Sequence, residues 1–142
     1  MIDACPDSAV LFFDVDGTLT FFDPEKNTDK ELSAVRPSRA VVDAFHQLSA
    51  CGHNAFVCTG RPLWLVPDCL RELDLAGIVA MGGAALEVDG RVVYEDCFDE
   101  DVIEEFVRRA TEAGIEALLE TSAMTFALEP AGVEEPLMPG VP

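Results

Sequence analysis

The most constraining feature of this chain is an apolar run that ends abruptly at two carboxylates. Val10-Leu11-Phe12-Phe13 contains no polar residue, the pattern of a strand covered on both faces. It leads directly into Asp14-Val15-Asp16-Gly17-Thr18-Leu19. The four fixed positions of Asp-x-Asp-Gly-Thr occur by chance in about one chain of this length in a thousand. In open parallel sheets, ligands bind beyond the carboxyl ends of the strands, which is where Asp14 falls. Asp16 can face the same place from the first turn of the loop. One carboxylate can attack as a nucleophile while the other carries protons. Gly17 lets the backbone approach an anion closely. The alternative is a turn rich in Asp and Gly that does no chemistry.

The rest of the first half repeats the strand-then-loop pattern. Residues 20–35 read as a polar loop with Pro24 and Asn27. Val41, Val42, Phe45 and Leu48 recur at helical spacing, with Pro37 and Ser38 as start signals and Gly52 as a stop. Ala55-Phe56-Val57-Cys58 predicts a second buried strand, ending in Thr59-Gly60-Arg61. Pro62 opens a predicted helix to about Leu75, kinked at Pro67. Ile78-Val79-Ala80-Met81 predicts a third strand, ending in Gly82-Gly83-Ala84. Strand, helix, strand, helix, strand implies an α/β fold with a parallel sheet and right-handed crossovers.

After residue 84 the pattern changes. Leu86-Glu87-Val88 and Arg91-Val92-Val93-Tyr94 flank Asp89-Gly90, a hairpin with a type I′ turn signal. Asp99 is a plausible N-cap for a helix through Ala113. Its apolar face is Val102, Ile103, Phe106, Val107 and Ala110, with acids in its first turn, Arg108 and Arg109 in its last, and Gly114 as the stop. Residues 115–120 and 124–128 predict a second strand pair. The tail after Glu129 carries four prolines and reads as irregular. The charge changes at the same place: the formal charge of −18 divides into −6 for residues 1–84 and −12 for residues 85–142. Two segments are therefore expected, 1–84 and 85–142.

Composition narrows the function classes. With 9 Lys and Arg against 27 Asp and Glu, the surface repels nucleic acid and anionic lipid. No apolar run approaches the ~20 residues of a membrane span, and residues 1–8 carry two Asp and no base, unlike a secretory signal. A hydrophobic share of 49% and a length of 142 residues suit one packed domain. Five cysteines without a CxxC pair read as reduced thiols in the cytoplasm. His46 and His53 stand near no Cys or second His and read as structural or exposed.

With the motifs in place, the chain resembles the haloacid dehalogenase-like (HAD) superfamily of phosphatases. The first family motif is a strand followed by DxDGT. On that resemblance Asp14 is the nucleophile that forms an aspartyl-phosphate, and Asp16 the general acid/base. Thr59 matches the Ser or Thr of the second motif, whose hydroxyl, helped by the Gly60 N–H, binds the transferring phosphoryl group. Gly17, Thr18 and Arg61 complete the implied phosphate site, although Arg61 reads equally well as a surface residue at a helix start. Mg²⁺ would be held by Asp14 and Asp16, the latter through its carbonyl oxygen. Thr-Gly-Arg followed by Gly-Gly-Ala is similar to the Cof-type branch with a C2 cap. The implied fold is a Rossmann-like core with part of a three-layer parallel sheet, followed by the start of an α+β cap.

The resemblance covers residues 9–84 well and 85–128 weakly. The third motif, a Lys, has no match, since Lys26 and Lys30 both precede the second strand. The acidic pair of the fourth motif has none either: Asp96, Asp99 and Asp101 lie in the cap-like segment and read as a solvated helix start. Trp64 is expected to pack in the core, with the site entrance as the other reading. Phe21 and Phe22 are expected either in the core or over the site. In the family order 3-2-1-4-5 the first strand is central, so its outer side is expected to be an open apolar edge.

Three readings follow. The first is a Mg²⁺-dependent phosphatase for a small phosphorylated metabolite such as a sugar phosphate, impaired in this chain by the missing motifs. The second is a non-catalytic fragment or interaction module that keeps half of the fold. The third, a phospho-accepting receiver domain, is weaker, because Met81-Gly82-Gly83 offers no Asp after the third strand. The open edge implies self-association or pairing with a missing C-terminal half.

Overall fold

The computed structural model describes residues 8–20 and 36–129. Phe21, Phe22, Lys26, Lys30, Cys5 and the proline-rich tail lie outside the described residues. Strand β1 (Val10–Asp14) leads through α1 (Arg39–Ala50) to β2 (Asn54–Cys58). Two short turns of helix follow, Leu63–Leu65 and α2 (Asp68–Arg71), and then β3 (Gly77–Ala80). The hairpin of β4 (Ala85–Val88) and β5 (Arg91–Glu95) precedes α3 (Glu100–Ala113), β6 (Ala117–Glu120) and β7 (Thr125–Leu128).

The main sheet has the order β1-β2-β3-β4-β5. β1, β2 and β3 are parallel, as the alternation of strands and helices predicts. β4 runs antiparallel to β3, so the sheet continues across residue 84 and the hairpin lies within it. The turn at Asp89-Gly90 has positive φ at both residues, 51° and 70°, as a type I′ turn requires. β6 and β7 form a separate antiparallel pair.

α1 begins where Ser38 caps it: the serine oxygen accepts from the Val41 N–H at 3.4 Å. Its inward face places Phe45, 2% exposed, against Phe13, with ring centroids 5.0 Å apart. Ala55 and Val57 of β2 join the same core with Leu63, Val66, Leu70, Leu73 and Ile78.

Three expectations need correction. The helix from Pro62 to Leu75 is not continuous. Pro67, which has no N–H to donate, instead stands as the N-cap of α2, with ψ at 143°, and the segment breaks into two pieces. β1 is not covered on both faces: Val10 and Phe12 are 56% and 62% exposed. Among the described residues β1 ends the sheet, as the expected open edge requires, and Phe12, stacked on Phe56 at 5.4 Å, lies on the face opposite Phe13. Arg108 and Arg109 do not sit in the last turn of α3. They lie a turn earlier, where Arg108 pairs with Glu105 and Glu112, and Arg109 with Glu105.

Candidate active site

Parallel pairing sets the geometry of the site. Asp14 at the end of β1 is in register with Cys58 at the end of β2, so Thr59 emerges beside it. The chain after Asp14 closes at once into a turn. Val15 is buried, and its carbonyl accepts from the N–H groups of Leu19 and Thr20, both at 3.0 Å, and from the Thr20 hydroxyl at 3.1 Å. Gly17 has φ +87°, a backbone state that disfavours a side chain. Its N–H donates to the Thr20 carbonyl at 2.8 Å, inside the turn. The Thr18 hydroxyl donates to Asp14 Oδ2 at 3.0 Å and orients that carboxylate.

The end of β2 is tied to the end of β3 by the same few residues. Thr59 donates its N–H to the Val79 carbonyl at 2.9 Å, and its own carbonyl accepts from Gly82 N–H at 3.2 Å. Its buried side-chain oxygen accepts from Arg61 N–H at 3.1 Å. That contact leaves the hydroxyl hydrogen able to point elsewhere. Asp14, Thr59, Gly60, Gly82 and Gly83 border one pocket of about 360 Å³, with Cys58 at its wall. Burial, and then the Asp14 charge, push the Cys58 thiol above its ordinary pKa. An uncharged thiol therefore lies beside the carboxylate. A larger cavity of about 600 Å³ adjoins it, sharing Gly60 and Gly82 and reaching Asp96, Phe98 and Glu120.

Arg61 is the residue whose place the sequence leaves most open. Its guanidinium forks onto both oxygens of Asp16, from Nε at 3.0 Å and from Nη2. The side chain is 9% exposed against 51% for Asp16, and Nη1 is buried without a partner among the described residues. Bidentate pairing of this kind fixes a carboxylate in both position and angle. The register contains a signal for the pair: Asp16 and Arg61 stand two and three residues past the paired strand ends.

Trp64 is not a core residue. It is 42% exposed, and its Nε1 donates to the buried Thr125 hydroxyl at 3.1 Å, joining the first half of the chain to β7. His46 pairs with Asp74 at 2.7 Å, and His53 Nδ1 accepts from Ala9 N–H at 3.2 Å. Both are structural contacts.

A haloacid dehalogenase-like hydrolase family profile matches residues 11–137. The chain belongs to this family. The Bacillus subtilis (strain 168) protein called "Putative phosphatase YkrA" is 29% identical over 106 residues, spanning 75% of this chain and 37% of that one. Among solved structures, the HAD-superfamily phosphatase BT1666 from Bacteroides thetaiotaomicron superposes with a TM-score of 0.68 at 21% identity. That match covers 89% of this chain and 43% of the other. The HAD subclass IIB sugar phosphatase BT4131 gives 0.64 at 22% identity, covering 84% and 43%. These likenesses concern the fold. The chain spans about two fifths of the length of such HAD relatives.

For a HAD protein the implied metal is Mg²⁺, an octahedral ion with oxygen ligands. One Asp14 oxygen accepts from Thr18, and both Asp16 carboxylate oxygens face a guanidinium. Among the described residues no three His, Cys, Asp or Glu side chains converge to hold an ion. The described donors make part of a Mg²⁺ site and not a whole one. Among the described residues no helix is long and apolar enough to cross a membrane.

Proposed function

We propose that the chain carries the nucleophile half of a HAD-type phosphomonoesterase site for a small phosphate ester. The observation that carries this reading is the shared pocket of Asp14, Thr59 and Gly60 at the adjacent ends of two parallel strands. An Asp14 oxygen attacks phosphorus, and the bond to the leaving alkoxide breaks as Asp16 gives it a proton. Water then attacks the aspartyl-phosphate, Asp16 takes the proton, and the Asp14–phosphorus link breaks. Thr59 and the Gly60 N–H bind the phosphoryl oxygens, where charge develops. Thr18 orients Asp14, Gly17 allows the turn, and Arg61 orients Asp16.

The Asp14 carboxylate and the Asp16 carbonyl would hold Mg²⁺, together with ligands from outside the described residues, and the ion would offset phosphate charge. The likeness to a sugar phosphatase supports a sugar phosphate as substrate, and Thr59-Gly60-Arg61 followed by Gly82-Gly83-Ala84 supports a Cof-type protein whose C2 cap starts with the segment from residue 85. The free thiols Cys51, Cys58 and Cys97 suit the reducing cytoplasm. The open side of β1 suits a C-terminal half of the protein.

The second reading, a non-catalytic module, is favoured by one observation: the fork of Arg61 occupies both oxygens of the acid/base. The test is release of inorganic phosphate from small phosphate esters with Mg²⁺, comparing the wild type with Asp14→Asn. Slow turnover that Asp14→Asn abolishes supports the enzyme. Equal release by the two proteins overturns it.

A further inference from the structure

The five-stranded sheet has a second open edge, and its sequence is self-complementary. Among the described residues β5 closes the sheet, with β4 as its one neighbour. All five of its residues are exposed, Val92, Val93 and Tyr94 at 46%, 60% and 52%. Edges are normally blunted by Pro, charged side chains or bulges; Arg91-Val92-Val93-Tyr94-Glu95 has no Pro, and its two charges stand at its ends with opposite signs, leaving Val92, Val93 and Tyr94 between them. We propose that β5 is a homodimerisation edge: two copies of this chain pair their β5 strands antiparallel about a dyad at Val93, joining two sheets into one.

Charge selects this occupant. A dyad at Val93 sets Arg91 opposite Glu95 of the partner subunit, twice over, and Val92 opposite the partner's Tyr94. Opposite charges and aromatic–aliphatic pairs are the favourable cross-strand combinations. Arg39, Arg61, Arg71, Arg108 and Arg109 each pair with a carboxylate of their own chain. Among the described residues Arg91 and Glu95 have no ion-pair partner, although the chain holds three acids for every base. Val93 lacks a partner on β4 as well, because the register shifts opposite Leu86 and Glu87. The bulge sharpens the local twist, which confines the pairing to this short stretch.

The edge at β1 fails the same test. Pairing two copies about Phe12 would set Val10 against Asp14 and cover the carboxylate that borders the pocket. The β5 contact is small. Five residues span ~17 Å and cover well under the ~800 Å² per partner of a stable complex. Each copy also carries a charge of −18, which opposes association most strongly at low salt. The dimer is therefore weak and concentration-dependent.

Sedimentation equilibrium across a wide concentration range, at one moderate ionic strength, tests the proposal. The wild type should show a monomer–dimer equilibrium. Arg91→Glu places like charges opposite each other twice and should weaken it about tenfold. Arg91→Glu with Glu95→Arg reverses both ends and should restore the wild-type constant. Circular dichroism confirms that each variant keeps the wild-type fold. A monomer at every concentration overturns the proposal. So does a dimer that Arg91→Glu leaves unchanged, or one that the double exchange does not rescue.

Discussion

In the half of the molecule built on β1, β2 and β3, Val57 is fully buried and Phe45, Leu63 and Leu70 nearly so. In the half built on α3, β6 and β7, Ala110 is the one buried hydrophobic residue among those described, while Phe98, Val102, Phe106 and Phe126 are 46–77% exposed. Both halves have amphipathic elements at the correct periods. What separates them is a second layer. α1 and the segment from Leu63 to Leu73 lie over the parallel strands, so each apolar side chain meets others. The apolar face of α3 is left half open, and the helix gains support from ion pairs along its own surface. Periodicity alone makes an element, and burial against a neighbour makes it stable.

The sharpest way to break this contrast is a matched pair of truncations. Phe45→Ala should cost about 3–5 kcal/mol of unfolding free energy in urea. Phe106→Ala should stay within about 0.5 kcal/mol. Equal losses would mean that α3 is packed as tightly as α1. A smaller effect tests whether the β4–β5 hairpin belongs to the stable half. A Cβ on Gly77 would lie 2.5 Å from the Glu87 carbonyl oxygen and 2.7 Å from the Phe56 ring. Gly77→Ala should therefore cost about 1–3 kcal/mol. A neutral result would unseat the hairpin from β3.

The smallest effect concerns α3 and pH. Hydrogen bonds from Arg108 and then Arg109 hold the Glu105 carboxyl below its ordinary pKa. A depressed folded value means that the contribution is present above the unfolded pKa and is lost as pH falls through the folded one. Arg108→Ala removes the larger cause. In acid titrations followed by far-ultraviolet circular dichroism, its α3 signal should begin to fall at higher pH than in the wild type. Coincident curves would show that these exposed pairs support nothing.

The strongly local features were legible in the sequence. Asp14 could be placed because a strand end and a four-residue motif coincide, and the Asp89-Gly90 turn because only one hairpin geometry uses those residues. Ser38 and Gly114 bound their helices for similar reasons of capping and positive φ. The misses share another cause. Whether both faces of β1 are covered depends on the layers packed over it, which an apolar run does not specify. The choice of β3 as partner for β4 is tertiary, and a hairpin signal says nothing of its neighbour. The position of Arg61 beside a strand end points to the phosphate site, but its partner, Asp16, is 45 residues away. At Pro67 the missing N–H predicts a kink, and the structure has a break, because the proline caps a new helix instead of bending the old one.

The bond between Trp64 and Thr125 has a practical consequence. Trp64 is the only tryptophan in the chain, and its indole N–H is committed to a residue of β7. Indole emission is sensitive to that hydrogen bond and to the wetness of the ring. The chain's ultraviolet fluorescence is therefore a built-in gauge of the seam between its two halves. A melt followed by emission would register the detachment of β7, while one followed by circular dichroism would register loss of the sheet and helices. The gap between the two curves would measure how independently the halves let go.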